Sequence, residues 1–268
     1  MLPLGIYAWF GYEMALEKRL RLIADAGFTT TCVWFGHEEE MVQDGRADQI
    51  PALVRDTGLI LENIHAPFWH SNYLWAESKN DQSTIRQELS DTLLFCGKHR
   101  IPIIVMHLSA GNTPPPPNQS GLQLIGDLIK QAEDLGVTIA LENSEGYGNH
   151  YLEFVFSNIR STKLGFCYDS SHDFIAKEFR RRALEKWGSL LVTTHLSDNN
   201  GIKDDHLLPG RGTIDWHSVM KSFPKSYKGT LMLEVDGPEA NKGFTPKEFL
   251  STAFDKLREL VEMQEKQK

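Results

Sequence analysis

The sequence predicts one (β/α)₈ barrel, and three observations lead to this fold class. Eight short β-rich segments alternate along the chain with segments whose apolar residues recur at helical spacing. Several strand segments are near-continuous apolar runs, such as IPIIVMH (101–107), which is typical of parallel strands covered on both faces. The length of 268 residues fits one such barrel. A doubly wound open sheet is the alternative, but eight units in this length favour closure, so we expect residues 1–268 to form a single domain.

The predicted strands are the apolar runs themselves. In chain order they cover residues 4–8, 29–34, 60–65, 102–107, 137–142, 164–169, 190–195 and 230–235. The N-terminal run MLPLGIYAWF has no basic segment and no small-residue cleavage site, so it is interpreted as the first strand and not as a signal peptide. We therefore expect a cytoplasmic protein.

Helices are predicted between the strands from apolar spacing and from the residues that begin or end them. The first, residues 13–26, ends at Gly27, since glycine commonly terminates helices. The last, residues 246–265, has Thr245 as its N-cap and Pro246 at the first helical position. The other predicted helices cover residues 48–57, 82–99, 121–135, 151–157, 174–186 and 216–222.

Composition excludes several classes of protein. Lys and Arg number 28 and Asp and Glu number 36, which gives a formal net charge of −8. This balance argues against general nucleic-acid binding, although it leaves a local basic groove open. No apolar run approaches the ~20 residues of a membrane-spanning helix. The cysteines (Cys32, Cys96 and Cys167) are odd in number and widely spaced, which argues against a disulfide framework and favours a reducing compartment.

Imidazole and carboxylate groups recur at the ends of the last six predicted strands. In chain order they belong to His65, His107, Glu142, Asp169, His195 and Glu234. His172 follows Asp169 by one turn, and the loop after the seventh strand adds Asp198, Asp204, Asp205 and His206. A barrel directs the C-terminal ends of its strands into one mouth, where active sites lie. We therefore expect these side chains to converge there.

Such a cluster predicts a metal centre. Any one of these residues alone is more often a structural hydrogen-bonding or helix-capping residue. Burying several carboxylates together is costly unless a cation compensates them, and a divalent metal is the simplest compensation. Mixed His and carboxylate ligands suit zinc, manganese, iron or cobalt better than calcium. We expect from one to three ions of such a metal.

Seven short motifs carry these polar residues: IHAPF (64–68), VMHL (105–108), ALEN (140–143), CYDSSH (167–172), THLSDN (194–199), DDHLLPGRGTIDW (204–216) and LMLEV (231–235). Each motif is weak alone, but their order and their placement at strand ends resemble the xylose isomerase-like TIM barrel superfamily. The resemblance runs from about the third strand to the end of the chain. That superfamily contains sugar and sugar-phosphate isomerases and epimerases, inosose-processing enzymes and endonuclease IV.

The resemblance implies two different metal sites. In the isomerase and epimerase members one metal is held by positions that match Glu142, Asp169, His195 and Glu234. In endonuclease IV three zinc ions are held by nine residues, and all nine positions match here in residue type: His65, His107, Glu142, Asp169, His172, His195, Asp204, His206 and Glu234. Under the isomerase hypothesis, the additional histidines of the third and fourth strands bind substrate oxygens instead.

An isomerase or epimerase must move a proton beside a carbonyl and stabilise the enediolate that results. The metal would stabilise it as a Lewis acid, and Glu142 and Glu234 would act as base and acid. These glutamates lie three strands apart, so we expect them to face each other across the mouth and flank the sugar. His172 would contact a substrate oxygen. Arg211 either contacts a phosphate or distal hydroxyl or is a solvated loop residue.

The alternative function is hydrolysis of abasic DNA by an endonuclease IV-like enzyme. That enzyme must grip and bend DNA, which requires basic loops and a wedge side chain. The loop after His65 supplies aromatic residues, among them Trp69, which could wedge into DNA or stack on a sugar ring. Lys and Arg are absent from that loop and from the loops after His107 and Glu142, which disfavours a polyanion.

We therefore predict a cytoplasmic, divalent-metal-dependent isomerase or epimerase of a sugar, a sugar phosphate or a related polyol ketone. Its partner would be a small sugar, with no membrane association, and nucleic acid is disfavoured without being excluded. A non-catalytic sugar- or metal-binding barrel is a third hypothesis, which the complete ligand set disfavours. The sequence leaves open the sugar, the metal and whether the chain forms a homo-oligomer.

Overall fold

The computed structural model describes residues 2–35, 46–111, 113–177, 179–237 and 243–266. Within them, eight parallel strands confirm the predicted barrel: β1 Leu4–Tyr7, β2 Thr30–Trp34, β3 Ile60–His65, β4 Ile103–Met106, β5 Thr138–Glu142, β6 Leu164–Asp169, β7 Leu191–His195 and β8 Leu231–Leu233. They pair in the order β7-β6-β5-β4-β3-β2-β1-β8. A parallel bridge between Leu196 and Leu233 joins the two ends of this sheet and nearly closes the barrel.

Helices surround the strands. The described ones are α1 Leu16–Asp25, α2 Ile50–Asp56, α3 Lys79–His99, α4 Gln119–Leu135, α5 Gly148–Asn158, α6 Ser170–Ile175, α7 Ala183–Trp187, α8 Trp216–Ser222 and α9 Pro246–Glu265. Helices α8 and α9 have the predicted bounds, and Thr245 forms a capping box with Glu248 at the start of α9. In the described part of the chain, no helix is both long enough and apolar enough to cross a membrane.

Two long helices begin earlier than their apolar spacing predicted. The hydroxyl of Ser78 accepts a hydrogen bond from the Asp81 backbone N–H at 3.3 Å, so α3 begins at Lys79 and not at residue 82. The Asn118 side chain accepts from the Gly121 N–H at 3.0 Å, so α4 begins at Gln119. In both cases a cap satisfies the first backbone donors before the apolar repeat starts.

The prediction of one helix over residues 174–186 is wrong. The structure has two short helices there, α6 and α7, and the segment between them includes Phe179 and Arg181 with φ angles of 52° and 60°. These left-handed conformations cannot continue a right-handed helix. The last strand is also shorter than predicted, because β8 ends at Leu233 and Glu234 follows it.

A buried apolar cluster lies beneath three of the polar groups at the mouth of the barrel. Successive strand residues point to opposite faces, so a residue two positions before a strand-end polar group shares its inward face. Val105, Ala140 and Cys167 occupy these positions before His107, Glu142 and Asp169, and with Ile103 they form one buried cluster. The same positions before His65 and His195 are held by the buried polar residues Asn63 and Thr193, which both donate to Glu62. Beneath Glu142 and Asp169 the interior is apolar, which raises the cost of leaving their charges uncompensated.

Candidate active site at the mouth of the barrel

The nine side chains that the resemblance singled out form one connected network at the C-terminal mouth. His65, Glu142, Asp169 and His195 are the last residues of β3, β5, β6 and β7, whereas His107 and Glu234 directly follow β4 and β8. His172 lies in the first turn of α6, and Asp204 and His206 lie on the loop after β7. Each member lies within 3.6 Å of another member. The predicted convergence is therefore a feature of the structure.

Glu142 is the centre of this network. Its Oε2 lies 3.0 Å from His107 Nε2 and 3.3 Å from His65 Nε2, and its Oε1 lies 3.1 Å from His195 Nδ1. Burial favours the neutral acid, but His195 and His107 outweigh it and hold the pKa of Glu142 well below its ordinary value. Glu142 is therefore a buried carboxylate anion to which three imidazoles are directed.

Glu142, Asp169, His195 and Glu234 form a set of donors that fits a divalent cation. Each offers one atom, and the four atoms lie within 4.8 Å of one another. Two buried atoms of this set, Asp169 Oδ2 and His195 Nε2, have no hydrogen-bond partner. Burial, together with nearby carboxylates, raises the pKa of Asp169 to about 8, despite the opposing effect of His172. A bound divalent ion would relieve the crowding of carboxylates and could pair the free Asp169 oxygen.

A second set, His65, His107 and Glu142, also offers three donor atoms within 4.8 Å of one another. A third group forms around Asp204, whose Oδ2 lies 3.2 Å from His172 Nε2 and 2.9 Å from His206 Nε2. Although burial opposes protonation of His206, the carboxylate of Asp204 raises the pKa of His206 to about 10. The first two groups share Glu142, and the third group contacts Glu142 through His172. The three groups of metal-binding side chains are therefore adjacent to one another in the mouth.

Three of the histidines are oriented in the same way. Nδ1 of His65, His172 and His206 contacts the backbone oxygens of Ala66, Asn143 and Glu234 at 2.8, 2.9 and 3.1 Å. A carbonyl oxygen can only accept, so each Nδ1 carries the proton and donates it. Each Nε2 is directed into the mouth toward a carboxylate, and a bound ion would displace any proton it carries. Metal-binding histidines usually have this orientation.

Two supporting residues were not predicted as part of the site. The Asn143 amide donates to the Asp169 carbonyl at 2.7 Å and accepts from the Asp169 N–H at 2.8 Å, which locks the ends of β5 and β6 together. The hydroxyl of Ser171 donates to Asp204 Oδ1 at 2.6 Å. The sequence offers one signal for these roles, which is the distance to an acid at the end of a strand. Asn143 directly follows Glu142 in ALEN, and Ser171 follows Asp169 by two residues in CYDSSH.

The other two acids of the loop after β7 serve its backbone. Asp198 is buried and accepts from the N–H groups of Gly210 and Ile214 and from Trp216 Nε1, at 2.8, 3.0 and 2.9 Å. Asp205 accepts from the Asn200 N–H at 3.0 Å. These bonds hold the loop that carries Asp204 and His206.

The mouth has two lobes that share His65, Phe68, His206 and Glu234. The polar lobe is further lined by His107, Ser109, Ala110, Gly111, Glu142, Ser144, Glu145, His172 and Asp204. The aromatic lobe is further lined by Tyr7, Trp9, Trp34, Val235 and Asp236. None of the described residues that line either lobe is Lys or Arg.

Arg211 and Trp69, the two predicted substrate contacts outside the network, line neither lobe among the described residues. The Arg211 guanidinium lies over the ring of Phe244 at 4.7 Å. Trp69 packs on Phe68 with ring centroids 4.4 Å apart, and 69% of its surface is exposed. The aromatic loop therefore reaches the site through Phe68, whereas Trp69 covers Phe68 from outside.

Comparison with known proteins identifies relatives of the whole barrel. A family model described as xylose isomerase-like TIM barrel matches residues 20–265. The uncharacterized protein y4fM of Sinorhizobium fredii is 27% identical over 258 residues, which cover 84% of this chain and 82% of that protein. The uncharacterized protein MJ1311 of Methanocaldococcus jannaschii is 29% identical over 153 residues, covering 53% of this chain and 51% of that protein.

Solved structures of sugar epimerases share the fold. An L-ribulose 3-epimerase superposes with a TM-score of 0.79 and 16% identity, covering 99% of this chain and 96% of the other. The D-psicose 3-epimerase of Clostridium cellulolyticum H10, solved with D-tagatose, has a TM-score of 0.76 and 16% identity, covering 97% and 99%. At these identities the likeness shows a common barrel.

Proposed function

Because the chain belongs to the xylose isomerase-like TIM barrel family, we propose that it is a divalent-metal-dependent isomerase or epimerase of a sugar or a related polyol ketone. One observation carries the proposal: Glu142 and Glu234 direct carboxylate oxygens to the same His195 nitrogen, within a four-residue donor set that fits a cation. The titles of the similar solved structures, which name sugar 3-epimerases, support the same class of reaction.

The proposed metal ligands are Glu142, Asp169, His195 and Glu234. A divalent ion bound there, such as manganese, zinc, cobalt or iron, would polarise a substrate carbonyl as a Lewis acid. Asp169 is buried at the end of β6, and its Oδ1 accepts from the His172 N–H at 2.6 Å, which fixes the orientation of its carboxylate. Its other oxygen, Oδ2, is buried without a hydrogen-bond partner and would be available to the ion.

Proton transfer falls to the two glutamates. Epimerisation removes a proton from one face of a carbon and returns it to the other, so it needs two groups that approach from different directions. Glu142 and Glu234 reach the shared point from β5 and β8. Burial opposes ionisation, but His195 keeps the pKa of each below its ordinary value, so each is a carboxylate able to accept a proton.

The two glutamates differ in access. The Glu234 side chain is 22% exposed and lines both lobes, so it can reach a carbon atom of a bound sugar. The Glu142 side chain is fully buried and contacts the ring nitrogens of His107 and His195. We assign proton removal to Glu234 and proton return to Glu142, which would first take up a proton from water, while Glu234 would release its proton to water afterwards. His107 is the neighbour that stabilises the charge of Glu142.

Substrate hydroxyl groups would be bound by the remainder of the polar lobe. His65 and His107 direct Nε2 atoms into this lobe, and Ser109, Ser144 and Glu145 line its wall. Hydroxyl groups both donate and accept, so they can pair with imidazole nitrogens, serine hydroxyls and a carboxylate. The lobe is thus suited to a compound with several adjacent hydroxyl groups.

A metal-dependent phosphodiesterase of the endonuclease IV type is the second candidate. The three groups of donors favour it, because a cluster of several ions could bind a phosphate and activate a water molecule. The composition of the mouth opposes it, since the described lining contains no Lys or Arg to grip a polyanion. The number of bound ions separates the two candidates.

The decisive experiment is metal content per chain, by elemental analysis of protein purified without chelator and without a polyhistidine tag. About one ion per chain is expected. Ketoses including D-psicose, D-tagatose and L-ribulose would then be incubated with the protein in D₂O. Deuterium should appear at the carbon that changes configuration or oxidation state, because a carboxylate exchanges its proton with solvent. Two or three zinc ions, together with cleavage of abasic DNA and no deuterium in any sugar, would contradict the proposal.

A further inference from the structure

The aromatic lobe is a second compartment of the mouth that the proposed reaction does not use. The polar lobe, which holds most of the donor network, and the aromatic lobe each have a cavity of about 220 Å³. Small-molecule pockets usually have roughly 300–1,000 Å³, so the two lobes reach this range only together. Because the two lobes share His65, Phe68, His206 and Glu234, a molecule could occupy both and keep one end at the metal ligands.

The walls of the aromatic lobe are rigid. Trp34 ends β2 and stacks on Phe68, with ring centroids 5.1 Å apart and an angle of 13° between the planes. Tyr7 ends β1, and its ring packs against those of His65 and His195 at 6.5 and 6.0 Å. Strand ends hold these rings in place, so binding a flat apolar surface here orders few side chains.

The charges of this lobe are acidic. Glu234 and Asp236 are its charged side chains apart from histidine, and the described lining contains no Lys or Arg. A carboxylate accepts hydrogen bonds and repels anions. Four more acids of the mouth, Glu142, Glu145, Asp169 and Asp204, lie in or against the adjoining polar lobe. Among the described lining residues, a phosphate group on the substrate would face these carboxylates, and the cationic His206 is already paired with Asp204.

We propose that the aromatic lobe binds a second sugar ring, so that the substrate is an unphosphorylated glycosylated sugar whose reacting unit lies in the polar lobe. A sugar ring has an apolar face of C–H groups and an edge of hydroxyl donors. The face matches the aromatic side chains Trp9 and Trp34 of the lobe, which Phe68 supports by stacking on Trp34, and the edge matches Asp236. This inference rests on the proposed sugar chemistry, and the test below separates the two.

The test measures binding to the Mn²⁺-loaded protein by calorimetry. The probes are D-fructose, D-fructose 6-phosphate and three disaccharides that carry a glucosyl ring on fructose: turanose on O3, leucrose on O5 and isomaltulose on O6. We expect at least one disaccharide to bind about tenfold more tightly than fructose. We expect the phosphate ester to bind no more tightly than fructose. The readout is the ratio of disaccharide to fructose affinity.

Variants locate the source of this ratio. In Trp34→Ala the ratio should fall to about one, and in Trp34→Phe, which retains a ring, most of it should remain. Tyr73→Ala is the matched control. Tyr73 is an aromatic residue of the loop after β3, which also carries Phe68, and it stacks on His70. Among the described residues it lines neither lobe. Its ratio should equal that of the unaltered protein. Each comparison is made within one variant, so a general loss of stability cancels.

Four results would overturn the inference. A ratio near one for all three disaccharides, with fructose bound, would remove the second-ring site and leave the proposed function intact. Tighter binding of the 6-phosphate than of every disaccharide would show an anion site instead. A high ratio that Trp34→Ala leaves unchanged would place the second ring elsewhere. Failure of every ketose to bind would contradict both this inference and the proposed function.

Discussion

Glu142 and Glu234 place carboxylate oxygens 3.1 and 3.0 Å from one atom, Nδ1 of His195. The sequence predicted that these glutamates face each other across the mouth and flank the substrate. In the structure they converge on a common point, with donor atoms within 4.8 Å of one another. Two acids this close are stabilised by a shared positive charge, so binding a cation and transferring a proton depend on the same pair.

Glu142→Gln and Glu234→Gln should each reduce turnover by about 10²- to 10⁴-fold, because each removes a proton-transfer group. Glu142→Gln should also weaken metal binding more than Glu234→Gln does, since Glu142 belongs to all three groups of possible donors among the described residues and Glu234 to one. Kinetics of the isomerisation and calorimetric metal titration measure the two effects. Glu133→Gln, which changes an exposed carboxylate of α4 that lines neither lobe, is the control. Wild-type turnover in either main variant would refute the paired-carboxylate mechanism.

His65→Ala and His107→Ala test whether these histidines bind substrate or a further ion. Under the proposed function the metal content stays at about one ion per chain. KM should rise about tenfold, since the loss of one hydrogen bond to a charged or polar partner costs roughly 1–3 kcal/mol. His70→Ala removes a peripheral His–Glu pair with Glu88 and should change neither quantity. A fall in ion content in the His65 or His107 variant would instead show a multinuclear cluster.

Removal of metal should make the stability of the protein depend on pH. Asp204 raises the pKa of His206 to about 10, although burial opposes this. When folding raises the pKa of a group, the proton on that group stabilises the folded state. For His206 this stabilisation is complete below the unfolded pKa of histidine, about 6.5. It is lost as the pH rises toward the folded pKa of His206, about 10. Asp169, with a pKa raised by burial to about 8, acts in the same direction, because the folded state holds its proton more tightly.

Thermal unfolding of chelator-treated protein should therefore show a lower melting temperature at pH 9 than at pH 6.5. The metal-loaded protein should show a smaller difference, because the ion replaces those protons as the compensating charge. The variant His206→Gln should reduce the pH dependence of the metal-free form. A metal-free protein that is equally stable at both pH values would contradict this account.

Asp198→Ala should destabilise the protein by about 3 kcal/mol, because it leaves several buried donors without an acceptor. It should also weaken binding of metal or substrate, since Asp198 holds the loop that carries Asp204 and His206. Urea unfolding and calorimetric titration measure the two effects. Asp215→Ala, which removes only the exposed N-cap of α8, should cost about 1 kcal/mol and leave binding unchanged. If the two variants changed stability and binding equally, Asp198 would have no positioning role.

Local patterns in the sequence were sufficient for most of the barrel. The strand Ile60–His65 and the helices Trp216–Ser222 and Pro246–Glu265 have the predicted bounds, because apolar runs, caps and stops act within a few residues. The break between α6 and α7 was not predicted. It depends on left-handed residues at Phe179 and Arg181, which no local pattern distinguishes from a continuous amphipathic helix.

The residues of the donor network and their order around the barrel can be predicted from the sequence. Parallel strands bring their C-terminal ends to one mouth, and each of these strand ends carries one His, Asp or Glu. Tertiary packing decided which atoms meet. It directed Nε2 of three histidines inward, through hydrogen bonds from Nδ1 to backbone carbonyl oxygens, in His65, His172 and His206. It brought Glu142 and Glu234 to one nitrogen of His195. It also placed Arg211 against Phe244, away from the mouth. Such contacts join residues far apart in the chain, and their geometry follows from barrel closure and loop packing, which no local segment of sequence encodes.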